Sequence, residues 1–135
     1  MLRLSKKIEY GILAIKYIAE NPDKKVTAKE ISEKLNISYE FLAKTMQKLM
    51  KSGLILSQIG LNGGYTLVGE PESISIANII SALDEDTTIV ECFSKEQDTN
   101  CERDEFCEIR HDMSNLQKEI NSVFNKVTIA SLGAS

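Results

Sequence analysis

Two short helical stripes separated by only three residues constrain this chain more than any other feature. Thr27 stands three residues ahead of Glu30, the spacing of a capping box, and Ile31 and Leu35 follow at helical spacing. That pattern predicts a helix from about Ala28 to Leu35. Phe41, Leu42, Met46, Leu49 and Met50 mark a second helix, which ends at Gly53. Asn36, Ile37 and Ser38 leave room only for a tight turn between them, with Ser38 placed to cap the second helix. Two helices across such a turn fit helix-turn-helix geometry. A plain antiparallel helix pair with a polar face is the alternative that the local pattern leaves open.

The flanks extend the pattern. Upstream, Ile8, Ile12, Ile15 and Ala19 repeat at helical spacing until Asn21-Pro22 stops the run. Downstream, the apolar runs LILSQI and YTLV enclose GLNGG, so a β-hairpin follows the second helix at once. Asn62 and Gly63 suit its turn, because both residue types tolerate positive φ. A hairpin in that place is a wing, whose tip can lie along a nucleic-acid backbone or enter a minor groove. Glu70-Pro71-Glu72 is a break, after which Ile76, Ile79, Ile80 and Leu83 define a further short helix. No periodicity appears from Asp84 to Arg110, a stretch long for a loop in a compact domain. Order returns with Met113, Leu116, Ile120, Val123, Phe124 and Val127. Leu116, Ile120, Val123 and Val127 recur in a four-three-four pattern, as in a coiled-coil seam. The seam is shorter than three heptads, so packing against the first helix is the alternative to pairing with a second copy. The expected fold is mainly α with a small β-hairpin wing. A winged helix-turn-helix spans 1–83, a cysteine-containing loop 84–110, and a long C-terminal dimerisation helix and tail 111–135.

Charge separates the two halves. Residues 1–68 carry eleven Lys or Arg against six Asp or Glu, a net of +5, whereas 69–135 carry five against fourteen, a net of −9. A basic half joined to an acidic one is expected where one end meets a polyanion. Ordinary solvated surface is the plainer explanation. The polar face of the second helix would show Tyr39, Glu40, Ala43, Lys44, Gln47, Lys48 and Lys51. Lysines there can neutralise phosphates, while residues near the helix start reach base edges. The candidate DNA contacts are Thr27; Ser38, Tyr39, Glu40, Lys44 and Lys48; and, on the hairpin, Gln58, Asn62 and Gly63. Such a module gains specificity as a two-fold homodimer on a palindromic double-stranded operator. Nothing points to catalysis: there is no nucleophile–base set and no phosphate loop, and His111 is the single histidine. No run approaches ~18 apolar residues, so no membrane span is expected. The start, MLRLSKKIEY, lacks the features of a signal peptide, and a cytoplasmic location is expected.

Cys92, Cys101 and Cys107 all fall in the acidic stretch, with eight and five residues between them. The absence of a CxxC pair argues against a zinc ribbon. Cysteines in a cytoplasmic chain suggest free thiols, metal or redox chemistry rather than a disulfide framework. Three thiolates can hold a soft metal or an iron–sulfur cluster, and a cluster requires a fourth ligand. His111 lies four residues past Cys107, on the same face if that segment is helical. Three reduced, unliganded thiols are the plain alternative.

MLRLSK at the start, ISYEFLAKTMQKLMKSGLI across the second helix, GLNGGYTL in the hairpin, SISIANIISALDE before the cysteines and NKVTIASL near the end occur in order. In these motifs the chain resembles the small bacterial winged-helix repressors that include IscR, NsrR and CymR, over essentially its whole length. The resemblance implies a homodimer with crossed C-terminal helices. It also implies an iron–sulfur cluster, [2Fe–2S] in preference to [4Fe–4S], held by Cys92, Cys101, Cys107 and one further residue. The implied function is a DNA-binding regulator that senses cluster, redox or nitric oxide status. The eight-residue first gap is most similar to regulators of the Suf system, which implies control of cluster-assembly genes.

Two departures matter. In the IscR-like pattern a histidine follows the third cysteine by three positions; Arg110 stands there, and a guanidinium offers no lone pair. His111 comes one position later, ~100° further round a helix. NsrR-like members use an acidic residue near the start of the chain, a place that Glu9 matches. His111 is the first candidate for the fourth ligand and Glu9 the alternative. Ile59 precedes Gly60 where the family often carries arginine, a strong anchor in a narrow minor groove. Two other readings keep the same residues: a thiol-based or partner-controlled repressor of the cysteine-metabolism type without a cluster, and an iron–sulfur carrier. An acidic loop raises thiol pKa values and works against the first. DNA binding with a steep salt dependence would exclude the second.

Overall fold

A computed structural model describes residues 3–61, 63–85, 87–89 and 108–132. The Ser5 hydroxyl accepts the Ile8 amide and starts α1 (Lys6–Ala19), whose inner face is Ile8, Gly11, Ala14, Ile15 and Ile18. Thr27 Oγ1 accepts the Glu30 amide at 3.0 Å and starts α2 (Ala28–Leu35). Asn36 closes α2 with φ 54° and ψ 47°, a left-handed conformation that asparagine tolerates. α3 (Tyr39–Lys51) follows and buries Leu42, Thr45, Met46 and Leu49. The three helices share one core with Val26, Ile37 and Ile55. Tyr10 meets the ring of Phe41 edge-on at 5.3 Å, which ties α1 to α3.

Two expectations about caps need correction. The capping box at α2 forms only in part. Thr27 caps the helix, but the Glu30 carboxylate turns away and accepts the Tyr17 hydroxyl at 2.7 Å and Lys24 Nζ at 2.9 Å. A charged donor makes a stronger hydrogen bond than a backbone amide, and the carboxylate goes to it. Ser38 does occupy the N-cap of α3, yet its hydroxyl makes no capping bond.

The wing is an antiparallel pair, β1 (Ile55–Gln58) and β2 (Gly64–Leu67), with Ile55 opposite Leu67 and Gln58 opposite Gly64. Ile55 is buried and anchors the base of the wing, while the rest of β1 is exposed. Val26 and Tyr65 exchange two backbone hydrogen bonds, at 3.1 and 2.7 Å, so the segment before α2 borders the wing. This approach requires Gly64: its φ is +153°, and a Cβ there would lie 2.9 Å from the Val26 carbonyl oxygen.

After a 3₁₀ turn (Pro71–Ser73), α4 (Ile76–Ala82) begins at a complete capping box between Ser75 and Asn78. It lies against α1 at Gly11, where a Cβ would stand 2.8 Å from Leu83 Cδ1. The long α5 (Arg110–Lys126) has no buried residue. It runs against α4, and only near its end do Phe124 and Val127 join Ile8, Ile76 and Ile80 in a second apolar cluster. The chain then returns to the head. Ile76 N donates to Val127 O and Ile129 N to Ile74 O, each at 2.9 Å, and α6 (Ile129–Leu132) buries Ile129. Among the described residues no helix is long and apolar enough to cross a membrane.

Candidate nucleic-acid interface

The core residues of α3 fix which of its side chains face water. Tyr39, Glu40, Lys44, Gln47 and Lys51 are exposed, and Ala43 and Lys48 are half-buried, which is the face expected from the sequence. Charge pairing distinguishes this face from α1, whose three lysines are all paired. Lys6, Lys7, Lys16 and Lys24 are paired with Glu9, Glu85, Glu20 and Glu30 at 2.9–3.7 Å. Among the described residues no carboxylate comes within ion-pair distance of Lys44, Lys48 or Lys51.

The remaining sequence-derived contacts surround that face. Thr27 is exposed at the start of α2. Its oxygen accepts the cap bond, so its hydroxyl proton stays available to a phosphate, next to the helix amides that favour anions. Ser38 is exposed at the start of α3. Glu40 can only accept hydrogen bonds, which suits a cytosine amino group. Gln58 is exposed at the end of β1, and Gly63 N donates to Gly60 O at 2.9 Å across the tip. Asn62 lies outside the described residues. Sequence reasoning missed Lys25. It lines an open cleft of about 560 Å³ with Lys24, Leu61, Gly63 and Thr66, beside the wing. Only the Val26–Tyr65 pairing brings it there, and no local pattern announces that contact.

The ligand set expected from the sequence falls only in part among the described residues. Cys92, Cys101 and Cys107 lie outside the described residues. His111 is exposed in the first turn of α5, with Nε2 3.3 Å from the Asn115 amide nitrogen. α5 begins at Arg110, after the non-helical Glu108 and Ile109, so the shared-face argument for positions 107 and 111 does not apply. Glu9 is exposed on α1 and holds Lys6 at 3.0 Å. Gln117 of α5 fastens residues 87–89, in the segment leading toward Cys92. Gln117 Oε1 accepts Ile89 N at 2.8 Å, and its Nε2 reaches Asn121 Oδ1 at 3.0 Å and Thr87 O at 3.4 Å. Gln117, Asn121 and Phe124 of α5 face Ile80 and Ser81 of α4 across a cleft of about 570 Å³.

A winged helix-turn-helix whose second helix presents an outward row of lysines defines a DNA-binding transcriptional regulator. A sequence profile of the Rrf2 family, described as an iron-dependent transcriptional regulator, matches residues 4–135, and the chain belongs to that family. It is 31% identical over 132 residues to the transcriptional regulator IscR of Yersinia enterocolitica, covering 97% of this chain and 79% of that one. It is 33% identical over 99 residues to the regulator NsrR of Shouchella clausii, covering 73% of this chain and 66% of that one. The structure of CymR, the global cysteine regulator of B. subtilis, superposes with a TM-score of 0.78 over 99% of this chain and 98% of that one. At 24% identity that last likeness concerns the fold. The relatives are regulators of transcription, not enzymes.

Proposed function

We propose that this chain is a homodimeric regulator that binds a palindromic operator through α3 and the wing. An iron–sulfur cluster held in its cysteine segment switches that binding, and the target is genes of cluster assembly. The observation that carries the DNA contact is the set Lys44, Lys48 and Lys51 on the outward face of α3, which has no ion-pair partner among the described residues. Thr27, Ser38, Tyr39, Glu40, Gln58, Asn62 and Gly63 complete it. Dimerisation is supported by α5, which leaves Leu116 41% and Val123 56% exposed along its seam.

The cluster reading is supported by donor chemistry. Three thiols and an imidazole suit an iron–sulfur cluster, in the [2Fe–2S] form first. Cys92, Cys101 and Cys107 would supply the thiolates and His111 the fourth ligand, with Glu9 as the alternative. His111 suits the role because its ring is exposed in the first turn of α5, with Nε2 3.3 Å from the Asn115 amide nitrogen. Glu9 would have to leave Lys6. When bound, the cluster would supply a redox- and nitric-oxide-sensitive bridge between the two limbs of the loop. One limb is fastened to α5 by Gln117 and the other leads into α5, so a change in the loop is delivered to that helix.

Anaerobic purification with visible absorption, iron analysis and operator titration tests the proposal. The expected result is a coloured, iron-containing protein whose operator affinity changes when the cluster is removed, by the ~1–3 kcal/mol of an ordinary allosteric coupling. A colourless, iron-free protein whose operator binding is unchanged after reconstitution would overturn the cluster. If its binding responded to thiol oxidation instead, the protein would be a thiol-based regulator.

A further inference from the structure

Gln117 holds the backbone of another segment rather than a side chain. Its Oε1 accepts Ile89 N at 2.8 Å and its Nε2 donates to Thr87 O at 3.4 Å, so one primary amide meets the donor and the acceptor on either side of Thr88. A neighbouring strand in a parallel ladder meets a chain in the same way. Nε2 also donates to Asn121 Oδ1 at 3.0 Å, which holds the amide in place. The chemistry is specific to the amide: a carboxylate has no proton for Thr87 O, and an ammonium has no lone pair for Ile89 N. The contact gains meaning from where the chain is held on either side. The chain leaves α4 through Asp84, in the left-handed region at φ 54°, with Glu85 N bonded to Ile80 O at 3.3 Å and Asp84 N to Ser81 O at 3.2 Å. That ending is a Schellman motif and keeps Glu85 on α4. Lys7 Nζ, 3.7 Å from the Glu85 carboxylate, ties it to α1 as well. By Thr87 the chain has passed to α5. Glu85 therefore moves with the head and residues 87–89 with α5, and Cys92 follows in the sequence three residues after Ile89.

We propose that Gln117 is the positioning residue of the switch: its amide transmits the state of the cysteine segment to α5 by holding the backbone of 87–89, and it serves as neither a ligand nor a DNA contact. This inference rests on the reading of the chain as a switched regulator and names the residue that carries the switch. α5 is fixed to the head at Val127, ten residues and ~15 Å beyond Gln117. A displacement at Gln117 therefore acts on α5 far from its fixed end. Because the hold is on backbone, it senses the path of the chain and not the group bound to it. A cluster, an oxidised thiol and an alkylated thiol all act through the same contact.

The test uses the full chain and a duplex that the wild-type protein selects from a randomised pool. Affinity is measured with the cluster loaded and removed, and again on cluster-free protein with its cysteines free or blocked by iodoacetamide. Hydrogen exchange of the Ile89 amide is followed in the cluster-free protein. In wild type the loaded and cluster-free affinities should differ by about five- to 150-fold. Gln117→Leu removes both bonds and keeps helix propensity. It should retain iron and colour, bring that ratio within about twofold of one, and let the Ile89 amide exchange about fivefold faster. Gln117→Glu keeps the bond from Ile89 N and loses the one to Thr87 O, so its ratio should fall between the two. Asn125→Ala is the control. Asn125 lines the same cleft but donates to Asn121 O of its own helix, and the variant should keep the wild-type ratio. A purely structural role for Gln117 would lower the melting temperature and leave the ratio unaltered. A wild-type ratio in Gln117→Leu, or an Ile89 amide that exchanges no faster there, would overturn the inference and leave the cluster reading intact. If Gln117→Leu holds no cluster, the iodoacetamide comparison decides by the same criterion. A wild type that holds no cluster yet responds to iodoacetamide would overturn the cluster alone. A wild type whose binding responds to neither would overturn both.

Discussion

A single carboxylate shows how one side chain can take a different role from the one its spacing suggests. Glu30 has the position of a capping-box acid but joins α1, α2 and the loop before α2 through Tyr17 and Lys24. The hydrogen bonds from Lys24 and then Tyr17 hold its carboxyl below the usual glutamate range, and the same contacts raise the Lys24 ammonium and the Tyr17 phenol. The sign of the linkage follows. A carboxyl whose folded pKa is depressed contributes stability above its unfolded pKa and loses it as pH falls toward the folded value. Glu30→Gln should therefore lower unfolding stability at neutral pH, and the gap to wild type should close as pH drops below about 4. Denaturant titrations at a series of pH values measure this. A gap that stays constant through the acidic range would show that the network contributes through shape alone. Glu30 keeps 28% of its side chain exposed, so water screens the network and the effect is small beside the core.

At the scale of elements, Thr27 holds the start of α2 and faces the proposed duplex, and the two roles can be separated. Aspartate is as good an N-cap as threonine, whereas alanine costs ~1 kcal/mol there. Thr27→Asp should keep the melting temperature near wild type and weaken DNA binding at least tenfold, because a carboxylate would replace a hydroxyl facing phosphate. Thr27→Ala should lower stability and weaken binding less. Equal loss of binding in both variants would mean that Thr27 acts only through the helix. What was legible in the sequence follows the same division. The stripes of α1 to α4 and the GLNGG turn are local signals, and the helices and wing formed within a residue or two of their expected limits. The outward face of α3 follows from its inward face, so it could be read as well. The pairing of 74–76 with 127–129, the docking of Val26 on Tyr65 and the choice of Glu30 between partners depend on residues distant in sequence. No periodicity encodes them. The cysteine ligand set is legible only as residue type and spacing, and residues 90–107 lie outside the described ones.

At the scale of the whole molecule, α5 is tied to the head at its last turn yet keeps Leu116 and Val123 of its apolar seam exposed. The pairing of Val127 and Ile129 with Ile76 and Ile74 fixes its last turn, while Leu116 and Val123 stay exposed. Such a helix is stable in water when a second copy covers the seam, and a two-fold pair would then carry two heads on one rigid frame. The double variant Leu116→Glu/Val123→Glu tests this without disturbing the head, because no residue of α5 is buried within the single chain. Wild type should sediment as a dimer and the variant as a monomer with unchanged helical content. The second head of a dimer binds at a high effective concentration, so losing it should weaken binding to a palindromic duplex by about a hundredfold or more. Affinity for one half-site, which needs only one α3 and one wing, should not change. A variant that remains dimeric would place the contact elsewhere. A monomeric variant with full affinity for the palindrome would show that the heads act singly, and a signal carried by α5 would then have no partner to reposition.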